Sequence, residues 1–110
     1  MKTTEFHQLA DLILNDLFEY AQDLADNITI DDIVEVELHD GIVNIDFEDN
    51  KKYFVINKHE ASKQIWLSSP VSGASYFEYK DSWLPIKGAA DKELISFLKQ
   101  ELEFLHNSLT

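Results

Sequence analysis

The spacing of apolar residues changes twice along this chain, and that change restricts the folds open to it. Over residues 4–26 they recur at Phe6, Leu9, Ala10, Ile13, Leu17, Tyr20, Ala21 and Leu24, the spacing of one buried helix face. Val34, Val36 and Leu38, then Val43, Ile45 and Phe47, instead alternate with polar residues around His39-Asp40-Gly41. That is the period of an antiparallel hairpin with one wet face. Helical spacing returns at Leu94, Ile95, Phe97, Leu98, Leu102, Leu105 and Leu109. Thr4 and Asp91 are the expected N-caps, and the second helix is expected to end near residue 107. Between hairpin and second helix, strands are expected over residues 53–57, 64–69, 75–79 and 83–86, with a polar loop over 57–63. The chain has 110 residues, enough for one core, so residues 1–110 are read as a single domain. The arrangement that buries every apolar face is α+β. It is a two-layer α-β sandwich with the N- and C-terminal helices on one face of an antiparallel sheet of about six strands. The opposite sheet face is left open to a partner.

Charge is distributed unevenly over this frame. The net charge is −12. Residues 1–50 hold 14 acids and one lysine, and residues 51–110 hold seven acids and eight lysines. The first half therefore carries essentially the whole negative field. Nucleic-acid binding is not expected, because phosphate recognition needs clustered Lys and Arg, and the chain has no arginine. A positive protein surface or metal cations fit better. Solubility alone is the alternative source of such a charge.

Within the first helix Asp11, Asn15, Glu19, Asp23 and Asp26 form a stripe off the core face, with Asp16 beside it, and the helix contains no Lys or Arg. Like charges four residues apart each cost a few tenths of a kcal/mol, so stability alone does not account for the pattern. Asp31, Asp32, Glu35 and Glu37 extend the acids toward the first strand. Carboxylate oxygens suit hard cations, iron among them. Weak binding at several points is expected; the alternative is a solvated helix face. Of the scattered histidines His7, His39, His59 and His106, His7 stands four residues before Asp11 and is a candidate auxiliary ligand; the others read as surface or edge residues. In Gln64-Ile65-Trp66-Leu67-Ser68 alternation places Trp66 with Gln64 and Ser68 opposite Ile65 and Leu67. With the aliphatic pair buried, Trp66 stands on the open face as a protein-interaction anchor; with the faces exchanged it fills the core.

Several classes are excluded or disfavoured. There is no cysteine, hence no disulfide scaffold, thiolate site or cysteine nucleophile. The three glycines form no phosphate-binding motif, and no serine sits in a GxSxG elbow. No apolar run approaches the ~18 residues of a membrane span. The start, MKTTEFHQLADL, has no apolar signal core or Arg-rich presequence, so a cytoplasmic protein is expected.

Residues 56–73, INKHEASKQIWLSSPVSG, resemble the signature of the frataxin family, which runs close to INKQ-x4-QIWLSSP-x-SG. The departures are His59, where the eukaryotic branch has Gln, and a loop without proline before Gln64. The start Glu5-Phe6-His7-Gln8-Leu9-Ala10-Asp11, Leu24-Ala25-Asp26 and the His-Asp-Gly-Ile-Val hairpin resemble the bacterial branch, often called CyaY. The resemblance covers nearly the whole chain and implies the frataxin-like sandwich. It implies a small iron-binding protein that assists or regulates iron–sulfur cluster assembly, taking Fe2+ or Fe3+ weakly at surface carboxylates. Carried over by position, these are Asp11, Glu19, Asp23, Asp26, Asp32 and Glu35; Asn15 and Gln22 are neutral where some members carry an acid, and Asp16 and Asp31 are expected to compensate for them. The implied partners are a cysteine desulfurase and the iron–sulfur scaffold machinery. The implied contacts are the acidic ridge, with Asp16 and Glu37, and the open face, with Trp66, Gln64 and Asn57. A monomer is the expected state, with iron-dependent oligomers open. No enzyme activity is expected. The alternatives are ferroxidase or iron-storage activity, and a metal-independent acidic interaction module.

Overall fold

A computed structural model describes residues 1–27, 32–47 and 52–109. The elements in chain order are α1 (Thr3–Asp26), β1 (Ile33–His39), β2 (Ile42–Phe47), β3 (Tyr53–His59), β4 (Gln64–Ser69), β5 (Gly73–Lys80), β6 (Ser82–Gly88) and α2 (Leu94–Leu109). The six strands form one sheet in sequence order, every neighbouring pair antiparallel. One sheet face carries Val43, Ile45, Phe54, Ile56, Ile65, Leu67 and Phe77, and both helices press their apolar stripes onto it in a single core. Phe6 of α1 meets Trp83 edge-on, and Phe97 of α2 meets Phe77. This is the two-layer α+β sandwich expected from the apolar periods. Among the described residues no helix is long and apolar enough to cross a membrane.

Local chemistry explains the connections and corrects several expectations. Asp40 and Gly41 both have positive φ, 52° and 74°, as a two-residue hairpin turn between right-twisted strands requires. Val34 does not join the buried face. The register shifts between Ile33 and Glu35, so Ile33 pairs with Phe47 and Glu35 with Asp46, and Val34 is the extra residue of a bulge, 56% exposed. Ile33 takes its place in the core. On α1, Leu14 is fully buried and Ile13 only half-buried, because the core stripe is centred one residue later than the sequence spacing implies. Thr4 is not the N-cap of α1. The helix begins at Thr3 and Lys2 holds the cap position without a side-chain bond. Asp91 does not cap α2 either; Glu93 accepts hydrogen bonds from the Ile95 and Ser96 amides at 3.2 and 2.8 Å. Pro85, which cannot donate to a ladder, sits in the edge strand β6 beside a register shift.

A buried carboxylate ties the β4–β5 turn to α2. Glu101 is 4% exposed and accepts hydrogen bonds from the hydroxyls of Ser69, at 3.0 Å, and Ser72. Ser69 Oγ in turn accepts from the Val71 amide at 3.0 Å. Two serines of the SSPVSG stretch are thus structural, and they fix the end of the strand that carries Trp66.

Candidate functional site

α1 packs chiefly over β1 and β2, which brings its outer face beside the acidic first strand. Asp11, Asn15, Glu19, Asp23 and Asp26 are all exposed. At ~1.5 Å rise per residue the stripe runs roughly 22 Å. Its two nearby neutral residues orient acids: Asn15 Nδ2 donates to Glu19 at 3.2 Å and Gln22 Nε2 to Asp26 at 2.9 Å. An amide donor four residues before an acid replaces a like-charge repulsion with an attraction. A groove of about 380 Å³ separates α1 from the β1–β2 turn, bordered by Asp11, Asn15, His39 and Asp40.

Other expected ligands are engaged elsewhere. Asp11 is ion-paired with Lys58 of β3 at 2.8 Å. His7 does not serve Asp11: its Nε2 lies 3.4 Å from Glu60 at the β3–β4 turn, its ring packs against Phe6, and its Nδ1 is buried without a hydrogen-bond partner. Asp32 is largely covered, and His106 of α2 donates its Nδ1–H to it at 2.6 Å, clasping the approach to β1 onto the second helix. Asp31 lies outside the described residues. Among the described residues no three His, Asp or Glu side chains converge on one point where an ion could be held.

At the sheet edge Glu35 and Glu37 are exposed neighbours on the open face, and Asp46 pairs with Glu35 across the strands. The protonated Glu35 carboxyl donates a hydrogen bond to Glu37, whose charge also repels the ionised form, and with some desolvation and Asp46 this holds the Glu35 carboxyl above the ordinary glutamate range. A shallow groove of about 350 Å³ beside them is lined by Glu37, Asn44, Asp46, Lys52 and Tyr53.

Farther along the same face the register aligns Ile42, Asn57, Trp66, Tyr76 and Lys87 in one row. Ile65 and Leu67 are buried, so Trp66 is on the open face. It is half-buried there because neighbours enclose it. His59 stacks on it with ring centroids 3.8 Å apart and 13° between planes, Tyr76 lies 5.1 Å away, and its Nε1–H donates to Gln64 at 2.8 Å. His59 Nδ1 is within 2.7 Å of Ser62 Oγ. Asn57 donates to the Lys58 carbonyl at 3.3 Å. His59, Tyr76 and Asp46 are absent from the sequence-based site. Only the strand register, which fixes what lies across from what, places them there. Asp16 is exposed on α1 but borders a different groove, between the two helices.

The model of a family described as "Frataxin-like domain" matches residues 1–107. The chain is 34% identical over 106 residues to mitochondrial frataxin of Arabidopsis thaliana. The match covers 96% of the chain and 56% of that relative, so the chain spans little more than half its length. Among solved structures it is similar to a trimeric frataxin from Saccharomyces cerevisiae complexed with ferrous iron, with TM-score 0.74 and 31% identity over 89% of this chain and 85% of that one. A frataxin from Psychromonas ingrahamii superposes with TM-score 0.72 over 96% of this chain and 91% of that one, at 20% identity, a likeness of fold.

Proposed function

The chain belongs to the frataxin family, and from that premise we propose that it binds iron at the α1 and β1 carboxylates and regulates iron–sulfur cluster assembly. In this reading it docks on a cysteine desulfurase through the acidic ridge and the Trp66 face. The carrying observation is the outer face of α1: Glu19, Asp23 and Asp26, with Asp11 held at one end by Lys58 of β3, exposed along one side of a helix that contains no Lys or Arg. A relative of the same fold at 31% identity is complexed with ferrous iron, which supports iron as the ion.

The physical chemistry fits transient rather than permanent capture. Carboxylates are hard oxygen donors suited to Fe(II) and Fe(III). Glu19, Asp23 and Asp26 stand about one helical turn apart and Asp11 about two turns before Glu19, so an ion is held by one or two carboxylates and water, with several such places along the ridge. A partner with a basic surface competes for the same oxygens, so iron loading and docking are coupled. Trp66, supported by His59, Tyr76 and Gln64, is the apolar anchor beside this charged surface. Oxidation of Fe(II) by turnover asks for ligands fixed around an open position. The spread acids do not favour that alternative.

The test is the affinity of this protein for a cysteine desulfurase at two salt concentrations. Neutralising Glu19, Asp23 and Asp26 together is expected to weaken binding at least tenfold at low salt and to flatten its salt dependence. Trp66→Ala is expected to weaken binding at both salts alike. Unchanged affinity for the neutralised variant overturns electrostatic docking.

A further inference from the structure

We propose that the groove between the N-terminal halves of α1 and α2 is a second docking site, built for a basic amphipathic segment of a partner protein. The groove lies at the β5–β6 turn and has a volume of about 270 Å³. Its floor is apolar, formed by Leu9 and Ile13 of α1, Ile95 of α2, and Tyr79 and Trp83 of the hairpin. Leu12 stands on its lip with 65% of its surface in water, more than any other large hydrophobic residue among those described. Leaving a leucine that exposed forgoes the gain of burying it, roughly 25 cal/mol per Å², and a docked segment recovers it.

The rim specifies the occupant. Asp16, Asp81 and Glu93 border the groove, and among the described residues no Lys or Arg lines it. Glu93 uses its oxygens on the first amides of α2, leaving Asp16 and Asp81 as exposed carboxylates. Asp81 is fixed in a tight turn with φ 64°. An apolar trough with an anionic rim is the complement of a helix that shows leucine-type side chains on one face, flanked by lysine or arginine. A second copy of this chain is a poor occupant, because its net charge is −12 and its long exposed helix has no cation. The site adjoins the acidic ridge along α1 through Leu12 and Asp16 and lies on the opposite side of the sheet from the Trp66 face.

The experiment is an NMR titration of the isotope-labelled protein with a short peptide repeating Leu-Lys-Lys-Leu-Leu-Lys-Leu. Oligolysine of equal charge is the control. The expected result is saturable amide shifts at Leu9, Ile13, Trp83 and Ile95 with the amphipathic peptide, while oligolysine shifts only the exposed carboxylate positions of ridge and rim, such as Asp16, Glu19, Asp23 and Asp81, and leaves the apolar floor unmoved. Leu12→Gln, at an exposed position, should weaken the peptide about tenfold, the scale of one lost leucine burial, and Asp81→Asn, whose amide tolerates positive φ, about two- to fivefold, the scale of one exposed ion pair. The spectrum itself reports that both variants stay folded. Peptide shifts confined to the oligolysine residues, no shifts at all, or undiminished binding to Leu12→Gln overturns the proposal. Neither iron nor the desulfurase enters this titration, so its failure leaves the ridge reading standing.

Discussion

Truncating the buried carboxylate, Glu101→Ala, should destabilise the fold through one named contact set. Glu101 is 4% exposed and accepts hydroxyl hydrogen bonds from Ser69 and Ser72. A hydrogen bond to a charged group contributes about 1.5–3 kcal/mol, and a buried hydroxyl left without its acceptor adds to the loss. Removing the carboxylate also relieves its own desolvation, so the net loss should be about 2–4 kcal/mol. For a domain of this length that lowers Tm by roughly 8–16 °C. Thermal unfolding followed by circular dichroism reads it directly. Glu103→Gln, at an exposed position on the same helix, serves as control and should move Tm little. A Tm for Glu101→Ala equal to the wild type's would refute the reasoning, since it would mean the serines find water as readily as the carboxylate. Because the staple ends β4, the variant should also change the fluorescence of Trp66 before unfolding.

Three other outcomes follow from the same geometry. Glu35 titrates higher folded than unfolded, so its contact with Glu37 favours folding below the ordinary glutamate range and loses that favour as pH rises through the raised value. Glu37→Gln should therefore bring the Glu35 carboxyl down in an NMR titration and stabilise the protein at neutral pH only. Gly88 has φ 101°, and a Cβ there would lie 2.2 Å from the Ala74 carbonyl oxygen, so Gly88→Ala should cost more than about 1 kcal/mol in chemical denaturation. The crowded acids of residues 1–50 repel one another, so added salt or divalent cations should raise Tm; a Tm indifferent to both contradicts a continuous ridge.

Much of the architecture was legible because two periods carry it. The helical spacing of α1 and α2 and the alternation of β2 and β4 each mark a buried face, and the hairpin turn is written in Asp40-Gly41. What escaped depends on tertiary context. The bulge that expels Val34 exists only against the partner strand, and the capping role of Glu93 follows from where Leu94 enters the core. At the site, the acid stripe on α1 was legible since one helix positions it alone. The separate fates of His7 and Asp11 were not, because Glu60 and Lys58 reach them from far along the chain. The His59–Trp66 stack likewise needs the β3–β4 register.

The central claim is that the α1 and β1 carboxylates receive iron. Its most direct test is an anaerobic titration with Fe(II), followed by paramagnetic broadening of amide NMR signals. The account predicts early loss of signals around Asp11, Glu19, Asp23 and Asp26 and around Glu35 and Glu37, with α2 and the Trp66 row retained. Uniform broadening, or signals unaffected along α1, would contradict it.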